Sequence, residues 1–415
     1  MHRQPEERRQ TVEAFKLTKY DKNFDAQYRY DGGDLGCQCT EARAVFKLWS
    51  PEAERIELSL YRDDTSGAYE TLPLIQGERG VWSQAVEGDL HGVYYDYAVW
   101  THGVRQTTAD PYAIACGCNG VRSMAADLSR TNPEGWADDC PPPAQPEQII
   151  YELHVKDFSF DPDGGAPAPY RGKFKAFSWR DGHGNPPACM EHLKSLGVTH
   201  VQLLPIFDFG SVDERGGAEQ FNWGYDPVNY NTPEGSYATD PSDGAARIRE
   251  CKEMIQALHQ NGLRVVMDVV YNHTYRTDSW LERSAPGYYY RRNGDGSLSD
   301  GSACGNDIAA GRAMADNYIV SSVLYWAREY HIDGFRFVEL MNRIRTELDA
   351  AFGPGEKLMY GEPWLANGSP MEPDTHPALK NALPLLHPDV GVFCDLTRDA
   401  IKGDAFEETL PGFVN

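Results

Sequence analysis

The sequence contains no uninterrupted apolar run near the roughly 20 residues that a bilayer-spanning helix needs, so none is expected. The first ten residues, MHRQPEERRQ, are polar, with no apolar segment after the charges. A signal peptide is therefore not expected, and the cytoplasm is the expected compartment. Positive charge is scarce. Lys and Arg number 39 against 62 Asp and Glu, a net charge of −23. That surplus repels phosphate backbones and counts against a nucleic-acid binder, but says nothing against a neutral ligand. Cysteine is sparse and unpatterned, with nine residues in all. Cys37 with Cys39 and Cys116 with Cys118 form C-x-C pairs, without the C-x-x-C spacing of a zinc ribbon. Free thiols in a reducing compartment are the expectation, and no metal or cofactor is expected. Internal repeats and low-complexity tracts are absent.

What is present is ample material for folding. The chain has 415 residues, 41% hydrophobic and 24% charged, enough for two or three domains with real cores. Residues 41–62 alternate apolar and polar positions on both sides of Ser50-Pro51, and VWSQAVEG (81–88) and VYYDYAVW (93–100) repeat the pattern. Short strands without a long helix predict a β-sandwich over 24–125, after an extension at 1–23. The segment 126–148, Pro-rich from residue 139, is expected to be a linker.

From 149 to 415 the rhythm changes. Strand runs at 149–155, 198–205, 263–271, 332–338, 357–362 and 390–395 alternate with helical patterns at 186–197, 243–262, 310–330 and 342–351. Buried strands separated by helices predict an α/β fold, a parallel sheet of six strands wrapped by helices. Long loops at 206–242 and 274–309 follow the second and third strands, on the face where barrel enzymes carry their sites.

Four stretches cluster at those strand ends: FNWGYDPVNYNTPEGSYATDP (221–241), DVVYNH (268–273), GFRF (334–337) and GEPW (361–364). Singly, each has an ordinary reading: Asp268 a capped carboxylate, His273 a packed core histidine, Tyr225 loop packing. Together they bring carboxylates, histidine, arginine and aromatics to one face. Glycoside hydrolysis needs such a set, with an acid for the leaving oxygen, an opposing carboxylate, and aromatic faces for sugar rings.

With YELHVKDFS (151–159), these stretches resemble the type I pullulanases of the alpha-amylase superfamily, from about Phe24 to the last residue. GDLGCQCT, ADPYAIACGCNG and DLSRTNPEGW carry the resemblance in the N-terminal part. It implies a carbohydrate-binding β-sandwich followed by a (β/α)8 TIM barrel. It further implies retaining hydrolysis of α-1,6-glucosidic linkages in pullulan, glycogen or starch limit dextrins. The expected partners are these α-glucans, not nucleic acid or membrane. On the matching positions, Glu362 is the general acid/base and Arg336 the arginine two residues before the nucleophile. Asp268, Asn272 and His273 are substrate-binding, as are Tyr225, the stacking aromatic, with Asp226 beside it, and Trp364.

Two departures stand out. The family reads G-F-R-F-D-L-M, whereas this chain reads Gly334-Phe335-Arg336-Phe337-Val338-Glu339-Leu340-Met341. Valine cannot attack an anomeric carbon. Glu339 is the substitute nucleophile if a bulge turns it inward; a regular strand leaves Val338 in the cleft. The family's fourth stretch, with a His-Asp pair, has no counterpart before Asn415, so a C-terminally truncated and inactive barrel is expected. Three readings stay open: a debranching hydrolase in fragment form, a non-catalytic α-glucan-binding protein, and another superfamily enzyme such as a branching enzyme. The PEGSY loop counts against the third.

Overall fold

The computed structural model describes residues 20–184, 188–217, 219–337, 340–364, 367–370, 376, 379–403 and 413. Nine strands build the N-terminal part: β1 (Gly36–Cys39), β2 (Arg43–Trp49), β3 (Ala53–Tyr61), β4 (Glu70–Pro73), β5 (Ile75–Gln76), β6 (Val81–Glu87), β7 (Tyr94–Thr101), β8 (Val104–Thr108) and β9 (Ser123–Met124). One sheet runs β1-β2-β6-β5 and the other β4-β3-β7-β8, with β9 also paired to β7. Strand periodicity explains the core between them. Ala44, Phe46 and Leu48 of β2 and Ile56, Leu58 and Leu60 of β3 recur every second residue, and all are buried. They share one apolar cluster with Tyr95, Tyr97 and Val99 of β7.

Helix α1 (Lys22–Tyr28) crosses the expected start of the sandwich and is capped by Asp21, whose carboxylate accepts from the Asn23 and Phe24 amides. Its Phe24 ring lies 5.7 Å from Tyr288 in a barrel loop. The segment expected as a linker is partly docked. Trp136 is buried and stacks on His331 at 4.2 Å, while Asp139 accepts from His259 at 2.8 Å and His331 at 2.7 Å.

Strands β10 (Ile150–Leu153) and β11 (His200–Leu203) open the second part, followed by β12 (Phe207–Phe209) and β13 (Pro227–Pro233) as an antiparallel pair. Then come β14 (Arg264–Asp268), β15 (Gly334–Phe337), β16 (Leu358–Gly361) and β17 (Gly391–Val392). The parallel sheet has six strands among the described residues, ordered β10-β11-β14-β15-β16-β17. The principal helices are α2 (Ala188–Leu196), α3 (Gly244–Gln260), α4 (Ala313–Glu329) and α5 (Met341–Phe352). Asp243 caps α3 by accepting from the Ala245 amide. Ile248, Met254, Ile255 and Leu258 of that helix join one core with Val201, Leu203, Val265 and Met267 of the sheet. Gly334 permits the close approach of β15 and β16, since a Cβ there would lie 2.7 Å from the Leu358 carbonyl oxygen.

The sheet is curled, not flat. Tyr360 of β16 donates its hydroxyl to Gln202 of β11, although two strands separate them along the sheet. Such a chord needs a concave face. This is an incomplete (β/α)8 barrel behind an all-β domain.

Candidate active site

Parallel register aligns the site. Asp268, the last residue of β14, pairs with Arg336 of β15, and Arg336 pairs with Tyr360 of β16. Residues matched in register share a face, so Arg336 meets Asp268 on the concave side. Its Nη1 donates to both Asp268 oxygens, at 2.9 and 2.8 Å. Its Nη2 donates to Oε1 of Glu362, just beyond β16. Tyr225, in the loop before β13, donates its hydroxyl to Asp268 Oδ2 at 2.7 Å.

Exposure rises along this row, from 0% for the Asp268 side chain to 12% for Arg336 and 25% for Glu362. The buried end is electrically strained. Burial pushes the Asp268 carboxyl up to about 6, although Arg336 pulls it back. Burial would lower the Arg336 guanidinium, but Asp268, Tyr225 and Glu362 together drive it up. At the more exposed end Arg336 holds Glu362 Oε1, while Oε2 has no hydrogen-bond partner among the described residues.

His273 sits behind Tyr225. Its Nε2 donates to the Tyr225 carbonyl oxygen at 2.9 Å, and Asn272 Oδ1 lies 2.9 Å from its Nδ1. Burial lowers the His273 pKa and keeps the ring neutral. A neutral ring that donates from Nε2 accepts at Nδ1, so the Asn272 amide is better turned to present its NH2. Asp226 does not join the arginine centre; its carboxylate accepts from Asn222 Nδ2 at 2.7 Å. Trp364 lies 6.2 Å from Phe393, between ring centroids. Phe393 in turn contacts Tyr360 at 5.6 Å and the Arg336 guanidinium at 5.8 Å. Glu339, like Val338, lies outside the described residues.

The structure thus brings Tyr225, Asp268, Arg336 and Glu362 into one bonded row, with His273 and Asn272 behind and Trp364 to one side. Three further residues belong to the row. Gln202 Nε2 donates to Glu152 Oε2 at 2.7 Å and reaches Asp268 Oδ2 at 3.5 Å, while its Oε1 accepts from Tyr360. Their signal in the sequence was a polar residue inside an apolar strand run: Glu152 in IIYELHV and Gln202 in VTHVQLLP.

Residues 34–113 match the family described as carbohydrate-binding module 48 (isoamylase N-terminal domain), and residues 188–296 match the alpha amylase catalytic domain. A pullulanase of Bacillus subtilis is 38% identical over 404 residues, covering 94% of this chain and 54% of that protein. Pullulanase 1, chloroplastic, of Arabidopsis thaliana is 32% identical, covering 92% of this chain and 45% of its own length. Among solved structures, pullulanase from Paenibacillus barengoltzii in complex with maltohexaose and alpha-cyclodextrin superposes with a TM-score of 0.89 at 42% identity, over 97% of this chain and 64% of that one. The chain spans about half the length of the curated relatives it matches. Both family matches stand in chain order, and over almost its whole length the chain is similar to pullulanases, glycoside hydrolases of the alpha-amylase superfamily.

Proposed function

We propose that the concave face binds α-glucans and carries the acid/base half of a retaining debranching site for α-1,6-glucosidic linkages, with pullulan, glycogen and starch limit dextrins as the substrate class. The observation that carries this reading is Arg336 bridging a buried Asp268 and a partly exposed Glu362 at the C-terminal strand ends. In this scheme Glu362 gives a proton to the glucosidic oxygen from Oε2 and later takes one from water. Arg336 holds the opposing charges in register, and Tyr225, fixed by Asp268, offers its ring to the sugar at the cleavage position. The nucleophile is the weak point. Two residues after Arg336 the sequence has Val338, and Glu339 follows. We propose that this chain binds glucan without measurable turnover.

A reducing-sugar assay on pullulan and a calorimetric titration with maltotetraose test the two halves. Binding without hydrolysis is the expected result, with Glu362→Gln sparing affinity. Hydrolysis that Glu339→Gln abolishes would make Glu339 the nucleophile and contradict the inactivity. Val338 supports a second reading, a dedicated α-glucan-binding protein, because a valine cannot attack an anomeric carbon.

A further inference from the structure

The loop that delivers Tyr225 also holds two large aromatics in solvent: Phe221 is 48% and Trp223 61% exposed. Scattered exposed apolar side chains are common; these two, separated by one residue, stand on a braced loop. Asn222, between them, is bound on three sides. Its Nδ2 donates to Asp226 at 2.7 Å, its Oδ1 accepts from the Gly224 amide at 2.7 Å, and its carbonyl accepts from His154 Nε2 at 2.9 Å. His154 is itself buried and lies 4.9 Å from the Phe221 ring. Gly224 adopts φ +92° with its α-carbon pressed against Pro205, where a Cβ would lie 2.9 Å from the proline Cβ. The loop cannot fold back to hide its rings without breaking these contacts. Rigid placement of exposed aromatics favours binding over disorder.

We propose that Phe221 and Trp223 form an outer sugar-stacking lip, which takes a glucose unit of an α-glucan chain as the chain leaves the cleft. The proposal rests on the α-glucan reading of the Arg336 centre and adds chain-length selectivity to it. The occupant follows from continuity: Trp223 is two residues from Tyr225, and Asp226 ties the lip to the loop that enters the cleft. Trp364 and the 39%-exposed Phe393, 6.2 Å apart, add a second aromatic pair beside the Arg336 guanidinium, which lies 5.8 Å from the Phe393 ring. Apolar ring faces of an oligosaccharide suit such aromatic surfaces.

Stacking that removes roughly 50 Å² of apolar surface corresponds to about a tenfold change in affinity. The test is a calorimetric titration of the whole chain with maltotriose and maltohexaose, comparing Trp223→Ala, Phe221→Ala/Trp223→Ala and Tyr225→Ala. The expected result is a loss of about tenfold in maltohexaose affinity for Trp223→Ala, with maltotriose changed less than twofold and the melting temperature unchanged. Tyr225→Ala should weaken both ligands. Equal maltohexaose affinity in the parent and the double variant overturns the lip while leaving the cleft reading intact. So does a change of oligomeric state in the variants with affinity preserved, since another copy would then be the occupant. Failure of the parent chain to bind either sugar overturns both.

Discussion

Two arginines of this chain each hold carboxylates, and the contrast between them separates support from function. Arg247 of α3 is completely enclosed, as are Asp208 and Glu214, which it pairs with at 3.1 and 2.5 Å. Its Nε donates to the Pro241 carbonyl at 2.9 Å, and Nη2 also reaches the Gly117 carbonyl at 2.9 Å. One guanidinium thereby joins the helix, the β12–β13 pair, the loop after β12 and the tail of the sandwich. Glu234 adds a third buried carboxyl, held high by burial and by Glu214 and Asp208. Burial and Glu214 push Asp208 itself up to about 7 despite Arg247. Arg336 has the opposite layout. It is partly exposed, its Nε has no partner among the described residues, and its carboxylates grade outward to solvent. A closed centre spends every donor on the fold; an open one keeps capacity for a ligand.

The largest effect should come from breaking the closed centre. Arg247→Met leaves buried carboxylates without their cation, a cost of about 3–5 kcal/mol, visible in the urea midpoint. An equal loss in Arg336→Met would erase the distinction.

The closed type has a second member at the opposite end of the sheet. His259 of α3 bonds Asp139 at 2.8 Å and Asp333 at 3.0 Å. Burial lowers its pKa, but the two carboxylates outweigh it and raise it to about 9. The folded state therefore keeps a proton that the unfolded chain releases near pH 6.5. Its contribution is fully present below that value and is lost as pH rises through about 9, on the order of 2–3 kcal/mol. Urea unfolding at pH 6.5 and 9.5 should show the decline, and His259→Gln should flatten it. A parent protein equally stable at both values would contradict the clamp.

Arg336→Met should cost the fold less, about 1 kcal/mol, because Asp268 can take up a proton and keeps the Tyr225 hydroxyl as donor. Its expected signature is a glucan affinity reduced at least about tenfold. The smallest effect on stability is expected at the lip, where Trp223→Ala should stay within about 0.5 kcal/mol of the parent.

The six parallel strands and their helices were legible because burial on both faces writes continuous apolar runs such as LRVVMDVVY, and Asn261-Gly262 marks the end of α3. The motifs at strand ends pointed to the side chains that meet there, Tyr225, Asp268, Arg336 and Glu362. The Arg247 centre was not, because its partners lie in segments far apart in sequence and no local periodicity links Gly117, Asp208, Glu214 and Arg247. The docked Trp136 was hidden by its Pro-rich surroundings. Its burial depends on stacking against His331, a contact between residues far apart in the chain. Nothing in the sequence singles out Phe221 and Trp223; their exposure beside the braced Asn222 emerges only from the fold.

The most direct test of the open centre is a calorimetric titration of maltotriose into the parent chain, Arg336→Met and Tyr225→Ala, with melting temperatures taken on the same samples. The account predicts one site in the parent, affinity lost in both variants, and melting temperatures within a few degrees of the parent. Parent-like affinity in both variants, with the fold intact, would contradict the assignment of this centre to α-glucan.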